Sequence, residues 1–321
     1  MEWSGRKVFV TGGAGFLGSN LCHALAARGA KVTALDGFLF GGGANPANLE
    51  GAEVELVRAD IRDVDLRPLC EGAEVIFNLA AQTSHMGGQR DPLADIAVNA
   101  VAQVRLIQAA REAAPAAIVV HASTRQFYGK PLYLPVDEKH PVNPPDANGV
   151  SKFAGEQYWM IEHRTAGRPV VSLRLTNCYG PRLRIRDARQ TFLGIWIRCV
   201  LEGKPFEVWG GDQLRDLTYV DDVTEAFLAA AAPGCHGGVF NIGGPPPASL
   251  LELATLMQKV SPGAEFVTRE FPADRKTIDI GSYHADDSAF RAASGWAPKV
   301  GLEEGIRRSM EWYRSRLGAY V

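Results

Sequence analysis

The segment Val8-Phe9-Val10-Thr11-Gly12-Gly13-Ala14-Gly15-Phe16-Leu17-Gly18 constrains the fold more than any other stretch of the 321-residue chain. An apolar strand runs into glycines and a helix opens from them. Gly13, Gly15 and Gly18 are spaced as G-x-G-x-x-G, and Gly12, Gly15 and Gly18 also fall three apart. Glycines at such a turn let the backbone reverse sharply and bring main-chain N–H groups at a helix N-terminus against a pyrophosphate. The context agrees, because a second strand-like run, Lys31–Leu35, ends at Asp36, eighteen residues beyond Gly18. A carboxylate there accepts hydrogen bonds from ribose hydroxyls and repels a 2′-phosphate. Gly37 and Phe38 follow it, not an arginine, so NAD rather than NADP is expected, with Gly12, Gly15, Phe16, Leu17, Gly18 and Asp36 around it.

Short apolar runs at Lys7–Val10, Lys31–Leu35, Val54–Val57, Val75–Leu79 and Ile118–His121 alternate with helical patterns at Phe16–Arg28 and Asp91–Ala114. The second helix is anchored by Val98, Val101, Leu106 and Ile107. Continuous apolar strands suit a parallel sheet covered on both faces, so the fold class is a Rossmann-type, doubly wound α/β sheet. The proline-rich stretch 131–145 predicts an irregular surface loop before a helix at Ala147–Arg164. Further helices are expected at Gln190–Glu202, Asp221–Ala232, Ser249–Val260 and Leu302–Leu317. Residues 1–174 read as the dinucleotide-binding domain, with a return segment near 216–243, and 175–321 as a smaller mixed lobe.

The charge balance, 34 basic against 36 acidic side chains, argues against nucleic acid as a partner. No run approaches the roughly 18 apolar residues that cross a bilayer, and the chain enters its first strand with no room for a signal peptide. A cytoplasmic location without membrane contact is expected. The five cysteines, Cys22, Cys70, Cys178, Cys199 and Cys235, form no C-x-x-C pair, and the histidines form no H-E-x-x-H. Free thiols and no metal centre are expected.

In family order, the motifs resemble those of the extended short-chain dehydrogenase/reductases, specifically the NAD-dependent nucleotide-sugar epimerases and dehydratases. Thr11–Gly18 matches the TGxxGxxG turn. Ala59-Asp60-Ile61-Arg62-Asp63 is similar to the segment that holds adenine through Asp60 and the Ile61 backbone. Asn78-Leu79-Ala80-Ala81-Gln82 resembles HLAA, with Asn78 in place of histidine, and Asn99 falls at the family's structural asparagine. The resemblance implies that Leu79, Ala80, Ala81 and Asn99 border the cofactor and Thr83 the sugar. Ala122–Gly129 is similar to SSxxVYG, which puts Thr124 at the catalytic Ser/Thr position. Arg174–Pro181 resembles RxxNVYGP and Leu214–Val223 resembles RDFTYVDDV, implying Asn177, Gln190, Arg215 and Arg275 at a nucleotide diphosphate sugar. A homodimer contact through the Asn148–Arg164 helix is a further family-level expectation.

One departure stands out. The family's YxxxK pair is here Asn148-Gly149-Val150-Ser151-Lys152. Moving a hydride from a sugar carbon to NAD requires a base for the hydroxyl proton. A phenol of pKa ~10 serves when cations favour its ionised form; an amide neither gains nor loses a proton in this range. Asn148 is left to orient a hydroxyl, Lys152 to hold the nicotinamide ribose, and His85, Lys152 or Tyr128 are candidates for the missing base. Loss of a general base costs on the order of 10²–10⁴-fold in rate.

Around the nucleotide pocket, Trp196 and Trp209 read either as base-stacking or as core residues. Arg182, Arg184, Arg186, Arg189 and Arg198 read as a diphosphate-binding face or a solvated one. Three functions follow. One is an epimerase working through a transient keto-sugar. Another is a dehydratase or net oxidoreductase; Arg125-Gln126 stand where dehydratases carry Asp-Glu, which counts against dehydration. The last is a redox-silent protein that binds NAD and a nucleotide sugar.

Overall fold

The computed structural model describes residues 1–39, 42–187, 191–271 and 279–321. The first half lays down β1 (Lys7–Thr11), α1 (Phe16–Ala27), β2 (Lys31–Asp36), β3 (Val54–Arg58), α2 (Arg67–Cys70) and β4 (Val75–Asn78). Then come α3 (His85–Arg90), α4 (Pro92–Ile96), α5 (Ala102–Ala113), β5 (Ile118–Thr124), α6 (Ala147–Ala166) and β6 (Val170–Leu175). The second half adds β7 (Asn177–Tyr179), α7 (Phe192–Leu201), β8 (Phe206–Trp209), β9 (Leu214–Arg215), β10 (Leu217–Tyr219), α8 (Val220–Ala230) and β11 (Val239–Ile242). It ends with β12 (Ala248–Ser249), α9 (Leu250–Val260), β13 (Phe266–Arg269), α10 (Ser288–Ser294) and α11 (Leu302–Arg314).

Seven strands form one parallel sheet in the order β11-β6-β5-β4-β1-β2-β3. The chain reverses direction across the sheet between β1 and β4, and this opens a crevice at the carboxyl ends of the strands. Val8, Val10, Val75, Phe77, Val120, Val171 and Leu173 are buried on one side of the sheet, and Phe9, Ile76, Val119 and Val170 on the other. Such two-sided burial is why these strands read as continuous apolar runs. Helix α1 closes at Gly29, whose φ of +78° suits a residue without Cβ. A second core joins α7, α9 and α11 through Trp196, Phe206, Leu253, Ile306 and Tyr313. Among the described residues, no helix is long and apolar enough to cross a membrane.

One expectation needs correction. Asp91–Ala114 is not one regular helix, because a π turn, Ala97–Val101, separates α4 from α5. The wider turn shifts the helical face. Asn99 and Gln103 are buried, whereas Val101, expected as an anchor, is 54% exposed. The proline-rich stretch is irregular and largely at the surface, as expected, and is anchored at one point. Val136 is buried and pairs with the chain near Ala285, its N–H donating to His284 O at 2.9 Å and its carbonyl accepting from Asp286 N at 2.8 Å.

Helix α6 is fastened to the sheet by buried charge. Glu156 accepts from Arg174 Nε at 3.0 Å and Nη2 at 2.6 Å, and from Ser123 Oγ and Ser172 Oγ at 2.7 and 3.1 Å. Arg174 also donates to Tyr128 Oη, which donates in turn to Asn241 Oδ1 at 2.9 Å. Removing one partner leaves the other charge buried without compensation. Glu156→Ala is therefore expected to lower unfolding free energy by about 3–5 kcal/mol, measured by urea titration.

Candidate active site

The glycine turn is built by contacts that exclude side chains. Thr11 Oγ1 donates to Asn78 Oδ1 at 2.8 Å and accepts from the N–H groups of Leu79 and Ala80, each at 3.1 Å, clipping the end of β4 to the turn. Gly12 has φ +71°, and a Cβ on it would lie 2.9 Å from the Leu79 and Ala80 backbone. On Gly18 a Cβ would meet Gly12 O at 2.1 Å, and on Gly13 it would meet Ala34 Cβ at 2.6 Å. Gly15 differs, because a Cβ there would meet just Gly12 O, at 3.2 Å, among the described residues. The protein itself leaves this side open, at the start of a helix with no side-chain cap. That arrangement fits a pyrophosphate against the N–H groups of the first turn, around Phe16 and Leu17.

Asp36 ends β2 and accepts from Ala14 N and Phe38 N at 3.0 Å each, so its carboxylate is held at the edge of the turn. Burial raises its pKa, and these N–H bonds oppose the rise. Asp60 accepts from the Arg62 side chain at 2.6–3.0 Å and from Arg62 N at 2.9 Å; the adjacent Ile61 side chain is buried. Leu79, Ala80 and Ala81 leave the end of β4 half-buried. Asn99 binds protein on both sides of its amide: Oδ1 accepts from Gln82 N, and Nδ2 donates to Gln82 O and Asp95 Oδ1. It therefore braces the loop after β4.

That loop, the end of β5 and the start of α6 form one edge of the crevice. Thr124 closes β5 half-buried, its Oγ1 accepting from Gln126 N at 3.1 Å. Lys152 lies in the second turn of α6, where burial pulls its pKa down to about 8 against the opposing attraction of Asp95. Its ammonium has no hydrogen bond or ion pair to the described residues. Asn148 points elsewhere. It is 1% exposed, and its Nδ2 donates to Gln82 O at 3.0 Å and Asp95 Oδ2 at 2.9 Å. Gly88 of α3 presses on this contact, since a Cβ there would fall 2.7 Å from Asp95 Oδ2 and 3.3 Å from Asn148 Cβ. Through Nδ2, Asn148 is a tie between α6, α4 and the Gln82 loop, while its Oδ1 is buried with no hydrogen-bond partner among the described residues.

A titratable pair stands beside it. His85 Nδ1 lies 2.9 Å from Asp146 Oδ2, outside hydrogen-bonding angles, and the Asp146 side chain is fully buried. Asp146 caps α6 by accepting from Gly149 N at 2.7 Å and also accepts from Gln126 Nε2 at 3.2 Å. Burial works against its charge, but His85 and these donors outweigh burial and hold its pKa below the usual range. Sequence reasoning found His85 and missed Asp146 and Asp95. The signal for Asp146 was its place just ahead of the α6 helical pattern, where aspartate is a favoured cap.

Other candidates fall into place. Asn177 starts β7 and accepts at Oδ1 from Arg125 Nη2 at 3.0 Å. Arg215 is buried on β9 and held by Asp279 at 3.2 Å and Gly281 O at 2.6 Å. Thr83 is exposed on the loop after β4. Gln190, Arg189 and Arg275 lie outside the described residues. Trp196 is a core residue, its Nε1 donating to Glu207 O at 2.9 Å, and Trp209 stacks edge-on near Phe271. The basic face does not stand free: Arg182 binds Asn20 Oδ1 and Asn48 O, Arg184 binds Asp187 and Gly42 O, and Arg198 binds Glu202 and Arg186 O. Tyr128 is buried with its hydroxyl committed to Arg174 and Asn241, which removes it as a base. The five cysteines are free thiols, and no metal-binding cluster occurs among the described residues.

The glycines separate folding from binding. Gly18→Ala is expected to cost about 1–3 kcal/mol of stability through forced overpacking, whereas Gly15→Ala should leave Tm nearly unchanged yet weaken NAD binding at least tenfold, read by calorimetric titration. Asn148→Tyr, which restores the family's residue, is expected to lose about 2–4 kcal/mol in chemical denaturation, because a phenol overpacks the site and leaves Asp95 short of a donor.

Comparison with known proteins agrees with this geometry. The model of the NAD dependent epimerase/dehydratase family matches residues 8–243. The UDP-glucose 4-epimerase of Mycolicibacterium smegmatis is 35% identical over 314 residues, covering 97% of this chain and 99% of that protein. The crystal structure of UDP-glucose 4-epimerase with UDP-glucose from Thermotoga maritima superposes with a TM-score of 0.87 at 28% identity, covering 97% and 99% of the two chains. UDP-glucuronic acid 4-epimerase from Bacillus cereus, solved with UDP-glucuronic acid and NAD, gives 0.84 at 28% identity, covering 96% and 99%. With the glycine turn, Asp36 and the crevice in place, the chain belongs to the NAD-dependent epimerase/dehydratase family, and NAD is its cofactor.

Proposed function

We propose that this protein is an epimerase of a nucleotide diphosphate sugar in which His85, backed by Asp146, takes the role usually given to tyrosine. The observation that carries the reading is the 2.9 Å approach of His85 Nδ1 to a fully buried carboxylate on the same edge of the crevice as Thr124 and Lys152. An imidazole is a general base by residue type, and a buried carboxylate beside it is the arrangement that supports one in other enzymes. NAD, when bound, supplies the two-electron acceptor and donor. Thr124 orients the reacting sugar hydroxyl. His85 removes its proton as the keto-sugar forms and returns it to the same oxygen after the opposite face of the carbon is reduced. Lys152 holds the nicotinamide ribose, and the low pKa that burial gives it leaves its charge sensitive to what binds beside it. Asn148 maintains the frame rather than moving a proton. The cofactor turn uses Gly12, Gly15, Phe16, Leu17, Gly18, Asp36, Asp60 and Ile61, and the diphosphate lies toward Asn177 and Arg215.

The relatives named above act on or bind uridine diphosphate sugars, which supports a UDP carrier as the first choice. Apolar side chains left exposed on α6 (Val150, Tyr158, Ile161) and on the α4 and π segment (Leu93, Ile96, Val101) support a homodimer formed through these helices.

The test incubates holoprotein with UDP-, dTDP-, GDP- and CDP-hexoses in D₂O, followed by proton NMR and mass spectrometry. An isomer of unchanged mass is expected. His85→Gln and Asp146→Asn should lower turnover by about 10²–10⁴-fold and 10-fold or more respectively, with NAD affinity retained. Loss of water would move the reaction to dehydration. Sugars bound but returned unchanged would replace the epimerase by a binding role.

A further inference from the structure

Immediately after Thr124 comes a buried guanidinium that makes no ion pair within 4.0 Å among the described residues. Arg125 opens the one-turn helix Gln126–Tyr128, its N–H donating to Leu175 O at 3.2 Å. The guanidinium stacks 4.5 Å above the Tyr283 ring, and Nη2 donates to Asn177 Oδ1 at 3.0 Å. Nη1 is buried and has no hydrogen-bond partner. Among the described residues no carboxylate oxygen lies within 4.0 Å of this guanidinium. The nearby acids are committed elsewhere: Asp216 accepts from Gly244 N and Ala285 N, and Asp279 binds Arg215 and Gly281 N. The Tyr283 Oη, on the ring under this guanidinium, is likewise buried with no hydrogen-bond partner among the described residues.

Buried charges in folded proteins are paired, because an uncompensated ion loses several kcal/mol of hydration. Burial disfavours the charged form of Arg125 and outweighs the attraction of Asp216 and Asp279, and it pulls Arg215 down to about 10, with Arg125 adding to the effect and Asp279 opposing it. Two guanidiniums are therefore held in one wall at electrostatic cost, one of them with a donor that meets no acceptor among the described residues. Neutral sugar hydroxyls offer no counter-charge. A carboxylate offers two acceptor oxygens for the Arg125 fork, with the Tyr283 hydroxyl as a further donor.

We infer that Arg125 is a specificity residue that binds a carboxylate on the sugar ring, so that the substrate class is a nucleotide-linked sugar acid such as a hexuronate. This rests on the reading above, which seats the sugar against Thr124, one residue away. The diphosphate is the competing anion. It is assigned to Arg215, which comes from a different strand, and the two assignments give different outcomes.

The test measures calorimetric Kd values on the NAD-loaded protein for a nucleoside diphosphate, its hexose and its hexuronate, using whichever of UDP, dTDP, GDP or CDP binds. The hexuronate is expected to bind about 10- to 100-fold more tightly than the hexose, the range for hydrogen bonds to charged groups. Arg125→Gln should abolish that preference while leaving the diphosphate and the hexose within about threefold, and their retained binding reports that the variant is folded. Arg125→Lys, which keeps the charge but not the fork, should retain part of the preference. Equal weakening of all three ligands by Arg125→Gln would place the diphosphate on Arg125 and overturn the inference, as would a wild type that binds hexose and hexuronate alike. A preferred hexuronate that is never isomerised would sink the epimerase reading and leave the carboxylate site standing. Isomerisation of hexoses without preference for the acid would do the reverse, and a protein that binds none of the four carriers would overturn both.

Discussion

A single buried carboxylate, Glu156, sets the height and rotation of helix α6 on the sheet. It takes hydrogen bonds from Ser123 on β5 and from Ser172 and Arg174 on β6, and through Arg174 it reaches Tyr128 and Asn241 on β11. A purely apolar contact would hold the helix as firmly, but it would tolerate sliding by a fraction of a turn. Directed bonds to two strands, extended to a third through Arg174 and Tyr128, do not. Lys152 lies one helical turn before Glu156 and Asn148 two turns before, so the position of every group that α6 presents to the crevice follows from this anchor.

The same helix carries a neutral amide at the position where the family has a phenol. At residue 148 the amide reaches back to Asp95 and Gln82, and the π turn that buries Asn99 supplies the third member of that cluster. The cluster replaces a titratable group with a neutral one and compensates a buried carboxylate at the same time. Two residues before Asn148, the cap residue Asp146 does double duty, satisfying the N-terminus of α6 and standing behind His85. Helix caps are ordinarily local devices. Here the cap is buried and charged, and the loop after β4 brings an imidazole to it.

Much of this was legible in advance for reasons that can be stated. A glycine turn is readable because backbone sterics act over a few residues: Gly12 needs positive φ and Gly18 needs the space under the turn. Strands buried on both faces are readable because they must be apolar at successive positions. The π turn was not readable, since one additional residue in a helical turn leaves the apolar spacing almost regular, and only packing decided that Val101 faces outward. The arginines of 182–198 misled for a similar reason. Composition shows a cluster of charge, while the acids and carbonyls that neutralise it arrive from Asn48, Gly42 and Glu202.

By itself, the sequence determined the doubly wound sheet, the NAD turn with Asp36, the Thr124 and Lys152 positions and the absence of a phenol at residue 148. These depend on local sterics, periodicity and residue identity, all of which are written along the chain. Tertiary structure alone decided that Asn148 is consumed by Asp95, that Asp146 stands behind His85, and that Arg125 is buried with one donor unmatched. Those partners are separated by 53, 61 and 52 residues in the first two cases and in the Arg125–Asn177 contact. Hydrogen bonds and charge pairing act through a few ångströms of space, and no spacing rule along the chain encodes which distant groups the folding of the sheet brings within that reach.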